Sequence, residues 1–303
     1  MWEKDRSEWK YYYGSIYEPY QRAKLRKEVQ RKEYEIIFQN KYICYQLCKE
    51  ANLPLPEQYA CIDGHDDLKP AIKSIINKIS SKKVIIKPII GMGGHNVVVA
   101  WKDNDEIRIK KGKDAFSLDH IKLSIPSVVQ EYFVQHSDVA KIYPNSVNTI
   151  RIVTLLTKEK DVIILGAYMR FGMNGLWIDN VSQGGISVGI DLKTGGLKRF
   201  AIDGHGKTYL QHPDSGVNFL NHKIPHWNRV ITLAKKTQKA FWYYKLLGQD
   251  IAIGLNGPVI IEINSSHDNV GLELAFGPIL KNETVKNEFA KYHLLVNKKQ
   301  RNL

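Results

Sequence analysis

The chain has 303 residues, 43% hydrophobic and 25% charged, with a formal net charge of +13 and a pI near 9.4. It is an ordinary folded composition, enough for one large domain or about two to three small ones, and three cysteines exclude a disulfide framework and agree with a reducing compartment. The excess of base implies an anionic counterpart, whether nucleotide, nucleic acid, polysaccharide or membrane surface, without choosing among them. The start, MWEKDRSEWK, has no apolar core, and no run approaches the ~18 apolar residues of a membrane span, so a cytoplasmic protein is expected.

In chain order, WKYYYGSIYEPYQRAKLRKEVQRKEYEIIF is first aromatic, then basic. Alternating charges from Lys24 to Glu35 predict a helix with a solvated, i,i+4-paired face. Its Arg22, Lys24, Arg26, Lys27, Arg31 and Lys32 would also suit an anionic polymer or a membrane surface. A second helix is expected from about Lys41 to Asn52, where Pro54 and Pro56 impose an extended exit. Cys44 and Cys48 lie at i, i+4 on it and read as buried helix cysteines; with Cys61 and His65 they lack the spacing of a zinc site.

Leu68, Ile72, Ile75, Ile76 and Ile79 predict a further helix, and KKVIIKPIIGMGGHNVVVAW then reads as strand, glycine loop, strand. Lys87 interrupts that apolar strand and needs a partner, because an unpaired buried ammonium is costly; phosphate is one. Gly91, Gly93 and Gly94 let backbone N–H groups approach phosphate oxygens, or simply let the chain turn tightly. VVQEYFV is a short strand carrying Gln130 and Glu131. An acidic side chain followed by free strand-end groups can bind an adenine edge, with Asp138 downstream in reach of a ribose hydroxyl; an edge-strand surface explains Glu131 as well. Arg151, inside NTIRIVTLL, needs a carboxylate or phosphate, Glu131 being one candidate acid. Walker, protein-kinase and dinucleotide glycine signatures are absent.

Arg170 breaks another apolar strand. Asn180, Ser182, Gln183, Gly184 and Gly185 form a polar glycine loop suited to an anion or to sugar hydroxyls, or to turning alone. His205, His212, His222 and His226 fall in a loop-like stretch without tight metal-ligand spacing. A helix expected from Asn228 to Leu247 leads into DIAIGLNGPVIIEINSSHD, two apolar runs about a GLNGP turn. This predicts a β-hairpin with Asp250 on its first strand and Glu262 and Asn264 sharing one face of the second. Two carboxylates and an amide oxygen are hard ligands suited to Mg²⁺ shared with phosphates. The tail from Leu280 reads as a closing basic helix.

The lysine of VIIKP, the GMGGHN loop, QEYFV, NTIRIVT, and Asp250 standing 12 residues before the Glu-x-Asn of EIN together resemble the ATP-grasp superfamily. NTIRIVT, DNVSQGG and EINSSHDNVG resemble more narrowly the sugar-transfer-associated ATP-grasp proteins, linked to bacterial surface-polysaccharide and capsule synthesis. The resemblance spans about residues 40 to 280. It implies an α+β ATP-grasp fold whose two subdomains sandwich ATP: a helical region over 1–40, N-terminal and lid subdomains over 41–135, a metal-bearing subdomain over 136–280 and a closing helix over 281–303.

The resemblance also implies roles. Lys41 and Lys87 would contact ATP phosphates under the loop of Gly91, Gly93 and Gly94. Gln130, Glu131, the backbone of Phe133 and Val134, and Asp138 would hold the nucleoside. Asp250, Glu262 and Asn264 would hold Mg²⁺, with Arg151 and Arg170 on the transferred phosphate or the carboxylate. His267 and Asp268 would hold or deprotonate an amine, and the 180–185 loop would meet the acceptor. The implied reaction is ATP-dependent carboxylate–amine ligation through an acyl phosphate, on a small-molecule or saccharide carboxylate. A phosphotransferase, or a nucleotide-binding module without catalysis, are the alternatives. No nucleic-acid recognition motif is visible.

Overall fold

The computed structural model describes residues 6–13, 19–63, 68–91, 93–104, 106–111, 114–120, 125–220 and 222–294, and they form an α+β architecture built on two antiparallel sheets. The first contains β1 (Gln58–Ile62), β2 (Lys83–Pro88), β3 (Val98–Asp103), β4 (Glu106–Lys111), β5 (Asp114–Ser117) and β6 (Ser127–Glu131), in the order β1-β6-β2-β3-β4-β5. The second contains β7 (Thr149–Leu156), β8 (Val162–Phe171), β9 (Ile186–Ile190), β10 (Leu197–Asp203), β11 (Thr208–Tyr209), β12 (Leu246–Gly254) and β13 (Gly257–Asn264), in the order β11-β10-β9-β8-β7-β12-β13. Helices α1 (Pro19–Val29), α2 (Glu35–Gln39), α3 (Lys41–Glu50), α4 (Leu68–Lys78), α5 (Ser137–Ala140), α6 (Trp227–Ala240), α7 (Asn269–Phe276) and α8 (Glu283–Ala290) cover them.

Side-chain period decides which faces are dry. Along β2, Val84 and Ile86 are buried with Ile72 and Ile76 of α4, so Ile85 and Lys87 point to the other face, toward the second sheet. On β7, Ile150 and Ile152 join the core beneath α6, whereas Thr149, Arg151, Val153 and Leu155 share the opposite face. The far half of that face, Val153 and Leu155, is roofed by Leu25 and Val29 of α1, Leu272 of α7 and Phe289 of α8. Its near half, Thr149 and Arg151, is left open to the cleft.

The predicted hairpin is present as β12 and β13, with Asp250 opposite Glu262 and Gly248 opposite Asn264. The register slips after Asp250, because Ile251 pairs with Ile260, and Ile261 is the extra residue of a β-bulge. A bulge re-aims side chains, and here Ile261 and Glu262 both reach the cleft. Helix α3 begins at Lys41, capped by the Asn40 side chain, which accepts the amides of Tyr42 and Ile43 at 3.0 Å. Cys44 and Cys48 are buried on it.

One helix is shorter than expected. α6 ends at Ala240 rather than Leu247, because Phe241 and Tyr244 turn inward onto Phe38 of α2, with ring centroids 5.4 and 4.9 Å away. The basic N-terminal helix is also less free than its charge pattern suggests. Arg26 donates to the carbonyl of His267 at 2.6 Å, Lys24 to that of His293 at 2.8 Å, and Arg31 pairs with Glu33. Among the described residues, no helix is long and apolar enough to cross a membrane.

Candidate active site

The cleft between the sheets encloses a cavity of about 660 Å³, lined from the first sheet by Lys87, Val99 and Trp101 and from the second by Arg151, Arg170 and Asp250. On the second sheet the charges form a stripe set by register: Asp250 stands opposite both Glu262 and Arg151. Arg151 and Asp250 form a two-point pair, Nε to Oδ1 and Nη2 to Oδ2, the second bond being 3.0 Å. Arg170 reaches the same Oδ2 at 3.0 Å and Asp179 at 3.4 Å, while Asp179 accepts the Thr149 amide at 2.9 Å.

Burial acts on each of these groups, and the neighbours decide the outcome. For Asp250, burial raises the pKa, but Arg151 and Arg170 outweigh it and hold the carboxyl below its usual value. For both arginines, burial pulls downward and the carboxylates win, Asp250 for Arg151 and Asp179 with Asp250 for Arg170. Asp179 goes the other way: burial raises it despite Arg170.

Two lysines, from α3 and from β2 of the first sheet, complete the charged end of the cavity. Lys41 bonds the Gly91 carbonyl at 2.7 Å and Glu262 at 3.1 Å, tying the glycine loop to the hairpin. Lys87 faces the cavity with no hydrogen bond or ion pair among the described residues. Burial lowers its pKa to about 8; Glu262 opposes that shift and Lys41 adds to it. Four cations (Lys41, Lys87, Arg151, Arg170) against three carboxylates (Asp179, Asp250, Glu262) leave this end of the cavity one positive charge in excess.

A model of sugar-transfer-associated ATP-grasp proteins matches residues 20–288. The chain belongs to the sugar-transfer-associated ATP-grasp family. Among curated proteins none matches it. Among solved structures, it is similar to an ADP complex of an N5-carboxyaminoimidazole ribonucleotide synthetase (TM-score 0.46, 12% identity, covering 77% of this chain and 46% of that one). It is also similar to D-alanine–D-alanine ligase from Helicobacter pylori (0.46, 11%, 87% and 61%) and to an L-amino acid ligase from Bacillus licheniformis (0.44, 10%, 78% and 44%). The chain thus spans about half the length of the synthetases it matches.

In this ATP-grasp fold the residues singled out in the sequence separate into two sets. Lys41, Lys87, Gly91, Gly93, Gly94, Glu131, Phe133, Arg151, Arg170, Asn180, Asp250, Glu262 and Asn264 all line the cavity. Gln130 instead lines a small side cavity behind Lys41, because β6 turns it to the α3 side. Val134 is 61% exposed and Asp138 bonds Lys141 at 2.8 Å, both away from the cavity lining. Glu131 is also held structurally, accepting the Glu57 amide at 3.1 Å, and Arg151 pairs with Asp250 rather than with it.

Past Asn180 the loop turns outward. Ser182, Gln183, Gly184 and Gly185 do not line the cavity; Gln183 reaches the Gly93 carbonyl, so this loop braces the glycine loop. Gly185 is set against the carbonyls of Phe171, Asp179 and Asn180, where a Cβ would come within 2.7 Å. His267 and Asp268 lie outside the lining as well. Asp268 caps α7 by accepting the Val270 amide at 2.9 Å. His267 is buried beneath Gly248, and burial, with the Arg26 and Arg151 charges, lowers its pKa to about 3, which leaves a neutral ring with little basicity.

Thr149, Asp179, Trp101 and Trp177 also line the cavity, although no motif in the sequence marks them as site residues. WIDN offered a faint signal for two of them, since a Trp two residues before an Asp in a polar turn is unusual between apolar strands. Among the described residues no three His, Cys, Asp or Glu side chains converge as a metal site. Asp250, Glu262 and Asn264 supply two carboxylates and an amide, a donor set that fits Mg²⁺ when phosphate oxygens complete the shell.

Proposed function

We propose that this protein is an ATP- and Mg²⁺-dependent carboxylate–amine ligase acting on a saccharide or sugar-linked carboxylate. The observation that carries the reading is Lys87: an ammonium on an apolar strand, desolvated, without a hydrogen-bond or ion-pair partner among the described residues, facing Asp250 and Glu262 across a cavity capped by a glycine loop. Such a charge is costly until an anion meets it, and nucleotide phosphates meet it without unseating the paired arginines.

Lys87 and Lys41 hold the phosphates beneath Gly91, Gly93 and Gly94, with Phe133 and Ile85 beside the base. Asp250, Glu262 and Asn264 would hold Mg²⁺, whose contribution when bound would be to neutralise charge on the phosphoryl group. Arg151 and Arg170, fixed by Asp250 and Asp179, present N–H donors toward the γ-phosphoryl and the attacking carboxylate. The carboxylate oxygen bonds to the γ-phosphorus and ADP leaves. The amine then bonds to the acyl carbon, phosphate leaves with the C–O bond pair, and the amine gives up a proton. The saccharide assignment is supported by the family the chain belongs to and by its basic charge.

Incubation with ATP, Mg²⁺, mixed uronic acids and amino acids tests the reading. ADP release that requires both acceptors, with an amide mass, is the expected result; ADP with a stable phosphorylated product would assign a kinase instead. Glu262→Gln should abolish turnover with the fold intact, since among the described residues Glu262 has a single ion-pair partner, Lys41. Full turnover in that variant would remove Glu262 from the metal site.

A further inference from the structure

The proposed reaction uses the lysines, the carboxylates and the paired arginines, and leaves one wall of the cavity without an occupant. Trp177 lines that wall with Asn180 from the loop after β8, and Asn145 lines it from the loop before β7. Both loops are held by bonds of their own. The Tyr143 hydroxyl donates to the Leu176 carbonyl at 2.7 Å, and Asp214 accepts the amides of Asn174 at 3.0 Å and Gly175 at 3.3 Å.

Trp177 is therefore presented from a fixed backbone. Its indole makes no hydrogen bond, ring contact or cation contact with the described residues, although the ring is half-buried and borders the cavity. The Asn180 side-chain Oδ1 accepts the Ser182 amide at 3.1 Å, which leaves its NH₂ group as a donor. Two residues along from Trp177, Asp179 holds Arg170, so the aromatic wall adjoins the arginine end of the cavity.

A flat apolar face edged by amides matches a pyranose, whose C–H face packs on an aromatic ring while its hydroxyls take hydrogen bonds. A linear amino acid would leave the indole unused. We infer that this wall is a saccharide subsite for a carboxylate-bearing pyranoside, with Trp177 as the stacking platform and Asn145 and Asn180 reading hydroxyls. The carboxylate rests on the ligase reading, which requires an acid facing the phosphates; the stacking wall does not depend on nucleotide.

Saturation-transfer NMR from the full chain to D-glucuronate, with and without ADP·Mg²⁺, tests it. Ring-proton saturation is expected in at least one of the two states. Trp177→Ala should weaken glucuronate about tenfold and Trp177→Phe only about twofold, on the scale of one aromatic contact. Trp242→Ala, at a tryptophan 65% exposed outside the cavity, should change nothing. Asn180→Ala provides a second readout with the indole intact and should weaken glucuronate several-fold.

Succinate, an acid without a ring, should be indifferent to Trp177→Ala. Absence of glucuronate saturation in both states, or saturation unchanged in the folded Trp177→Ala and Asn180→Ala variants, would overturn the subsite. Methyl glucoside binding as well as glucuronate would overturn the carboxylate assignment. Loss of ADP·Mg²⁺ binding with Trp177-dependent glucuronate binding retained would count against the nucleotide reading while upholding the saccharide wall.

Discussion

Lys87 is costly to the empty fold, and on the proposed reading it would be useful to the loaded one. Its pKa falls from 10.5 to about 8 on folding. The folded state therefore disfavours the ammonium, a penalty fully present below pH 8 and relieved as pH rises toward 10.5. Phosphate reverses this by supplying opposite charge, so binding at higher pH must take up a proton. ADP·Mg²⁺ affinity should fall by roughly a factor of ten between pH 7 and pH 9, following the loss of the charged form. Calorimetric titrations at the two pH values check this, and Lys87→Met should bind weakly at both. An affinity that does not change with pH would remove Lys87 from the phosphates. Without nucleotide, Lys87→Met should melt no lower than the parent at pH 7. Asp250 is the opposite case: two guanidinium groups depend on it, and Asp250→Asn should cost about 3–5 kcal/mol by leaving them uncompensated, measurable by urea denaturation.

At the scale of elements, α1 and the Gln30 that follows it clamp the segment after Asn264. Gln30 is buried and its side-chain NH₂ donates to the carbonyls of Leu246, at 2.9 Å, and Ser265. Gln30→Ala should cost about 1–3 kcal/mol, since the buried Leu246 carbonyl loses this donor and the Ser265 carbonyl keeps only the Tyr244 hydroxyl at 3.3 Å, and should raise hydrogen exchange over residues 265–268. A cost below a few tenths of a kcal/mol would show that water replaces the side chain.

The strands were legible in the sequence because period 2 and turn residues are local: Lys87 facing out of its core, and the hairpin around Gly257, follow from the pattern alone. The pairing of Arg151 and Arg170 with Asp250 was not, because it depends on β7 lying between β8 and β12, a register between strands about a hundred residues apart. Nor was the exclusion of His267, since only the tertiary packing of Gly248 against it shows that the ring is sealed. Trp177 stayed hidden for a similar reason: an indole in a loop looks like surface until both flanking loops are placed.

For the whole molecule, the two sheets meet across a cleft whose carboxylates Asp179, Asp250 and Glu262 are already ion-paired, with positive charge left in excess. Asp250 is bound by Arg151 and Arg170, and Glu262 by Lys41. Free Mg²⁺ would have to compete with these ion pairs while surrendering its own tightly held waters. With nucleotide present the balance changes, because the phosphates attract Lys41 and Lys87, release Glu262, and supply oxygens to the metal shell. Mg²⁺ and nucleotide should therefore bind together. Mg²⁺ alone at millimolar concentration should leave the melting temperature unchanged, nucleotide with EDTA should shift it little, and the two together should stabilise the chain by about 2.7 kcal/mol at a hundredfold excess over Kd. Because a nucleotide held as proposed would bridge both sheets, hydrogen exchange should slow in β2 and in β12 at once. Tight Mg²⁺ binding without nucleotide, or protection confined to one sheet, would show that the carboxylates are preformed for metal and that the cleft does not close on a shared ligand.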